Sequence, residues 1–162
     1  MDAINALPRI RLDDLSDPRI AAFMEEHLQD MRATSPPESV HALDMDKLRQ
    51  PDICFWSVWL PQGRDETLVG TGAIKRLDDR HAELKSMRTG ARFRGQGLAR
   101  QLLDHIVGQA RSKGYQRLSL ETGTQPFFTP AHQLYLGYGF RDSAPFGSYA
   151  PDPNSRFLTL LL

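Results

Sequence analysis

The spacing of apolar residues changes character twice along this chain. Ile20, Phe23, Met24, Leu28 and Met31 recur at three- and four-residue steps, which is the signature of one buried helix face. Asp17 precedes that run as an N-cap, and Pro18 takes the first helical position. A short strand in IRLDDL comes before this helix, ATSPPES breaks it, and SVHALDMDKLRQ reads as a second, shorter helix. The pattern then becomes β-rich in ICFWSVWL, which ends at Pro61, and in TLVGTGAIKRL beyond the turn PQGRDE. Strands joined by so short a turn pair antiparallel. DDRH turns the chain again into AELKSMRT, a third strand in series. Helical spacing returns at Leu98, Leu102, Leu103, Ile106, Val107 and Ala110, and stops at Lys113 and Gly114. QRLSLET is a further strand and PAHQLYLGYG a short helix. The end of the chain, FRDSAPFG to RFLTLLL, supplies two last strands with a long loop between them. The predicted order is β-α-α-β-β-β-α-β-α-β-β, an α/β fold with a mixed, mostly antiparallel sheet flanked by helices. No repeat, low-complexity run or linker interrupts residues 1–162, so one domain is expected.

Composition narrows the partners. Twenty basic and twenty acidic residues cancel, so no net field draws nucleic acid or an anionic membrane, and neither is an expected partner. The single cysteine, Cys54, cannot form an internal disulfide, and its place in ICFWSVWL predicts a buried, inert thiol. MDAINALPRIRLDDL has no apolar signal core, and no apolar run reaches membrane-spanning length. The expected compartment is the cytoplasm. Neither His41 nor His132 stands with Cys, Asp or Glu at a metal-ligand spacing, so no metal site is expected.

The stretch RFRGQGLARQLLDHI concentrates the chemistry. A helix N-terminus exposes unpaired N–H groups at the positive end of its dipole. Glycines let those amides approach an anion, and Arg92, Arg94 and Arg100 raise the local potential. The combination points to phosphate; the alternative is an ordinary helix start with glycines for the turn. No GxxxxGK[ST] run exists, and GQGLAR has Arg100 where a dinucleotide-binding loop needs Gly or Ala.

RGQGLA matches the [RQ]-x-x-G-x-[GA] motif of the GNAT N-acetyltransferases through Arg94, Gly97 and Ala99. AELKSMRT before it, the apolar helix after it and LYLGYGF, which resembles the family's closing LYxxxGF segment, follow in the family order over nearly the whole chain. The chain therefore resembles that family, and the resemblance implies a GNAT-like fold with acetyl-CoA as cosubstrate. It implies that the amides of Arg94, Gly95, Gln96, Gly97, Leu98 and Ala99 cradle the pyrophosphate of CoA. It also implies that the backbone of Met87, Arg88 and Thr89 pairs with the pantetheine arm where two strands splay apart, a form of β-augmentation.

Acetyl transfer to an amine needs a neutral amine, a donor for the developing oxyanion and a proton for the leaving thiolate. The resemblance makes Tyr135 the general acid; the alternative is a tyrosine that only packs against the cofactor. Tyr138 lies three residues on, at a variable position of the same segment. Glu83, eleven residues before Arg94, stands where histone-type members of the family place a general base. Between Ala82 and Leu84 on a central strand, desolvation would favour its taking up a proton. The alternative is a solvated charge paired with Lys85 or Arg88. His41 and His132 read more readily as surface or packing histidines than as catalytic ones. Phe127 and Phe128 stand where the family often has asparagine, and would form an aromatic wall of the acceptor pocket.

The expected activity is transfer of acetyl from acetyl-CoA to a primary amine of a small molecule by direct attack. A protein lysine or N-terminal acetyltransferase and a non-catalytic acyl-CoA-binding module are the alternatives. SPPESVHALD and PFGSYAPDPNSRF are expected to shape the acceptor pocket, with Arg156 or His41 as candidates for holding a carboxylate. RFLTLLL would serve a homodimer as readily as a core.

Overall fold

The computed structural model describes residues 7–36 and 45–162, and among them seven strands form one sheet. β1 (Arg9–Leu12), β2 (Ile53–Gln62), β3 (Asp65–Arg76) and β4 (His81–Thr89) follow one another as antiparallel neighbours. β5 (Arg117–Gly123) lies parallel to β4; β7 (Ser155–Leu161) pairs antiparallel with β5, and β6 (Arg141–Asp142) borders β7. α1 (Pro18–Thr34), α2 (Met45–Leu48), α3 (Leu98–Ser112) and α4 (Thr129–Tyr138) complete the predicted order. No helix among the described residues is long and apolar enough to cross a membrane.

Local signals account for the helices. The Asp17 carboxylate accepts from the Arg19 amide at 2.9 Å, closing the first turn of α1 ahead of Pro18. Ile20, Phe23, Met24 and Leu28 are buried, as their spacing requires. α3 buries all six of its predicted apolar positions and ends beside Gly114, whose φ of 87° suits glycine. The two helices cover opposite faces of the sheet. Ala73 packs with Ile20, Phe23 and Met24 of α1, whereas Ile74 and Leu84 pack with Leu102, Leu103 and Ile106 of α3.

Three expectations change in detail. The first strand ends at Leu12, because the Asp13 carboxylate accepts from the Leu15 amide and turns the chain early. The second helix is described over Met45–Leu48; residues 39–44 of SVHALDMDKLRQ, His41 among them, lie outside the described residues. Cys54 is half-buried, because β1 covers β2 between Trp56 and Trp59 and stops short of it.

One irregularity positions the site. Thr71 of β3 faces Arg88 and Ala73 faces Lys85, so Gly72 alone stands opposite both Ser86 and Met87. This is a β-bulge, and Ser86 takes a φ of 58° within it. A Cβ on Gly72 would lie 2.6 Å from the Met87 sulfur and 2.7 Å from the Ile106 Cδ1, so a larger residue there would have to displace both side chains. The bulge bends β4 away from β5. Their pairing is confined to His81, Ala82 and Glu83 against Arg117, Leu118 and Ser119. Beyond Glu83, β5 stays with β7 as far as Gly123, and the β4 edge that faced β5 has no strand partner among the described residues.

Candidate active site

The divergence of β4 from β5 opens a cleft of about 1340 Å³. At one end is the loop ahead of α3. Gly95 and Gly97 have φ of 77° and 80°, values that disfavour any side chain. Gly97 is the N-cap of α3 and supplies no side-chain cap, so the first amides of the helix are left for a ligand or water. The first helical bond runs from the Gln101 amide to the Gly97 carbonyl at 3.1 Å. Nothing lies within 4 Å of a Cβ position on either glycine, so the loop is uncovered on that side. Arg94 is held near this mouth: its Nε lies 3.4 Å from the Thr89 carbonyl, and its guanidinium 6.0 Å from the Phe127 ring.

Of the predicted cofactor-binding residues, Met87, Arg88, Thr89, Arg94, Gly95, Gly97, Leu98 and Ala99 all line the cleft. Gln96 is exposed and does not line it. The Arg88 side chain is committed elsewhere. It is 6% exposed, bonds Asp30 at 3.0 Å and Glu26 at 3.4 Å on α1, and lies over the Phe23 ring at 5.0 Å. Its backbone remains on the free β4 edge. That edge, open amides at a helix N-terminus and a nearby arginine suit an extended amide-bearing arm that ends in a pyrophosphate. The residues present therefore fit CoA.

Tyr135 lines the cleft from α4, 6% exposed, with its ring 5.5 Å from that of Phe140. Burial raises its phenol above the ordinary tyrosine range, so the hydroxyl stays protonated. Tyr138, its neighbour in sequence, points away and donates to Asp104 of α3 at 2.7 Å. His132 bonds the Gly123 carbonyl at 2.7 Å and ties α4 to the end of β5, a packing role.

Glu83 lies where β4 and β5 part. It is 5% exposed and lines the cleft. Its expected alternative, a solvated pair with Lys85 or Arg88, is not formed. Oε2 instead accepts from the Tyr149 hydroxyl at 2.6 Å. Burial, together with the Glu83 charge, raises the Tyr149 phenol, so it remains a donor. Tyr149 belongs to the loop between β6 and β7 and packs on Phe146 and Phe157 at 5.2 and 5.6 Å. Sequence reasoning assigned this loop to the pocket without singling out Tyr149, and no spacing links residues 66 positions apart. Phe127 and Phe128 line the cleft, and the Phe127 ring stands 6.0 Å from the Arg94 guanidinium. Arg156 is bidentate to Asp142 at 2.8 and 2.9 Å, so its proposed carboxylate-holding role is already filled within the chain.

His27 also lines the cleft from α1. Burial and the Arg88 charge lower it to about 4 from an ordinary 6.5. Between those values the unfolded chain binds a proton that the folded chain does not. Its contribution to stability is therefore whole above about pH 6.5 and is lost as pH falls toward 4. Melting temperature should fall over that window, and His27→Gln should flatten the fall; an unchanged profile would show that other groups set it.

The acetyltransferase (GNAT) family model matches residues 20–140. The chain is 52% identical to the uncharacterized N-acetyltransferase YedL of Escherichia coli (strain K12), covering 94% of each chain. It is 49% identical to the uncharacterized N-acetyltransferase YsnE of Bacillus subtilis (strain 168), covering 93% of this chain and 97% of that one. Among solved structures, a GNAT family acetyltransferase of Elizabethkingia anophelis with acetyl-CoA bound has a similar fold. The TM-score is 0.65 at 19% identity, with 96% of this chain and 98% of that one covered.

Proposed function

The chain belongs to the GNAT family of acetyl-CoA-dependent N-acetyltransferases, and on that premise we propose that it acetylates the primary amine of a small molecule by direct attack. The observation that carries the reading is the Tyr149–Glu83 hydrogen bond. It ties the loop between β6 and β7 to β4, and beside Glu83 the residues Gly147, Ser148 and Tyr149 form a wall of the cleft. A wall there suits a compact acceptor better than an extended polypeptide.

The amides from Gly95 to Ala99 and the Arg94 side chain would hold the pyrophosphate, and the backbone of Met87, Arg88 and Thr89 the pantetheine arm. When bound, acetyl-CoA supplies an activated thioester. Glu83 accepts the proton of the amine, directly or through one water, as the nitrogen–carbon bond forms. Tyr135 donates its hydroxyl proton to the sulfur as the carbon–sulfur bond breaks, and is reprotonated from solvent. Raising the phenol weakens Tyr135 as an acid, so donation is expected to be concerted with bond cleavage rather than to precede it.

Thiol release from acetyl-CoA across a panel of small amines and a panel of lysyl and N-terminal peptides tests this. Turnover is expected with small amines. Turnover confined to peptides would make the chain a protein acetyltransferase, and binding without turnover a non-catalytic module. Acetyl-CoA at a hundredfold excess over its Kd should stabilise the fold by roughly 2.7 kcal/mol. In a domain of this size that corresponds to roughly 5–10 °C in Tm. Gly97→Glu should abolish that shift, because it forces a side chain onto a φ of 80° and sets a carboxylate among the amides. A normal shift in that variant would mean that the loop holds something else.

A further inference from the structure

Lys75 and Lys85 form a cationic pair beside Glu83 that the acetyl-transfer chemistry above does not use. Lys75 on β3 stands opposite Glu83, and Lys85 on β4 stands opposite Ala73. Side chains alternate along a strand, so all three leave the sheet on the face where Ala73 packs against α1. In this register the two lysines are diagonal neighbours, roughly 7–8 Å apart at the backbone, within reach of a single anion. Both are half-buried and both line the cleft. Glu83, adjacent to each, gives its Oε2 to Tyr149 and pairs with neither. Other cations around the cleft are engaged: Arg88 with Asp30 and Glu26, and Arg76 with Asp79. Lys75 and Lys85 have no ion-pair or hydrogen-bond partner among the described residues.

With Glu83 beside them the two lysines still leave a net positive charge on a partly desolvated wall, which a second anion would neutralise. The charge pattern at this end of the cleft is thus two cations next to one buried carboxylate. We propose that the acceptor is an amino acid or a close relative, whose carboxylate is held by Lys75 and Lys85 while its amine is presented to Glu83. This rests on the small-amine reading above and names the substrate class for it. The pair would set specificity and bind the acceptor in its ground state, so its effect should fall on KM.

The test uses matched acceptors: the common amino acids, their carboxamides and their decarboxylated amines, followed by thiol release from acetyl-CoA. For the preferred side chain, the free carboxylate should raise kcat/KM about 10–100-fold over the amide and the amine, the worth of a charge-assisted pair. Lys75→Met and Lys85→Met should each remove most of that preference by raising KM, with kcat on the carboxamide retained. The acetyl-CoA thermal shift should be intact in both, which also certifies folding. Equal use of carboxylate, amide and amine by the parent protein would overturn the proposal without touching the acetyl-transfer reading. Equal loss on all three acceptors in the lysine variants, or loss of the acetyl-CoA shift, would overturn it by assigning the lysines to the cofactor or the fold. Absence of turnover on every amine would overturn the small-amine reading itself, and this inference with it.

Discussion

Tyr135→Phe should lower kcat by about 10²–10⁴ with little change in acetyl-CoA affinity, the usual effect of losing a general acid. The change removes one oxygen and keeps the ring, so the contact with Phe140 at 5.5 Å survives and the fold should be undisturbed. Because burial holds the phenol above its ordinary range, the parent enzyme should show no loss of kcat from Tyr135 ionisation up to about pH 10, the ordinary tyrosine value. Pre-steady-state thiol release would separate this step from product departure. Unchanged single-turnover rates in Tyr135→Phe would reduce Tyr135 to a packing residue. Tyr138→Phe is the control: its hydroxyl is spent on Asp104, outside the cleft, so activity should be retained.

Glu83→Gln should lower kcat/KM by about 10²–10⁴ and change the shape of its pH dependence. Glutamine is close to isosteric, and its carbonyl oxygen can still accept from Tyr149, so the loop should stay in place. It cannot take a proton. The acidic limb set by the base should vanish, and the remaining activity should rise with pH as the acceptor amine itself loses its proton. A profile that overlays the parent's would mean that Glu83 serves the structure by anchoring Tyr149, with the amine proton leaving by water. Tyr149→Phe gives a second reading of the same pair. It leaves the base in place but unanchored, so a rise in KM larger than the fall in kcat is expected there.

The sequence by itself determined the elements whose cause is local. The apolar faces of α1 and α3 follow from a 3.6-residue period, and Asp17, Pro18 and Gly114 mark helix ends through bonds made within a few residues. The anion loop is legible for the same reason, since Gly95, Gly97 and the start of α3 are contiguous and their φ values and free amides need no distant partner. Tyr135 was found through its motif, but the burial that raises its phenol comes from elements packed around α4.

The tertiary structure alone decided the rest. The bulge at Ser86 and Met87 depends on Gly72 lying across from it and on Ile106 of α3 filling the space a side chain would need. That contact between separate elements sets where β4 leaves β5, and so where a cofactor arm can lie. The partner of Glu83 is Tyr149, 66 residues away, and not the nearby Lys85 or Arg88. Arg156 is lost as a carboxylate ligand because the pairing of β6 with β7 brings Asp142 within 2.8 Å of it. Lys75 and Lys85 become neighbours only through the β3–β4 register. A hydrogen bond or an ion pair belongs to two groups together, and desolvation to everything packed around them. A sequence pattern states what each residue can offer, and chain folding selects which offers meet.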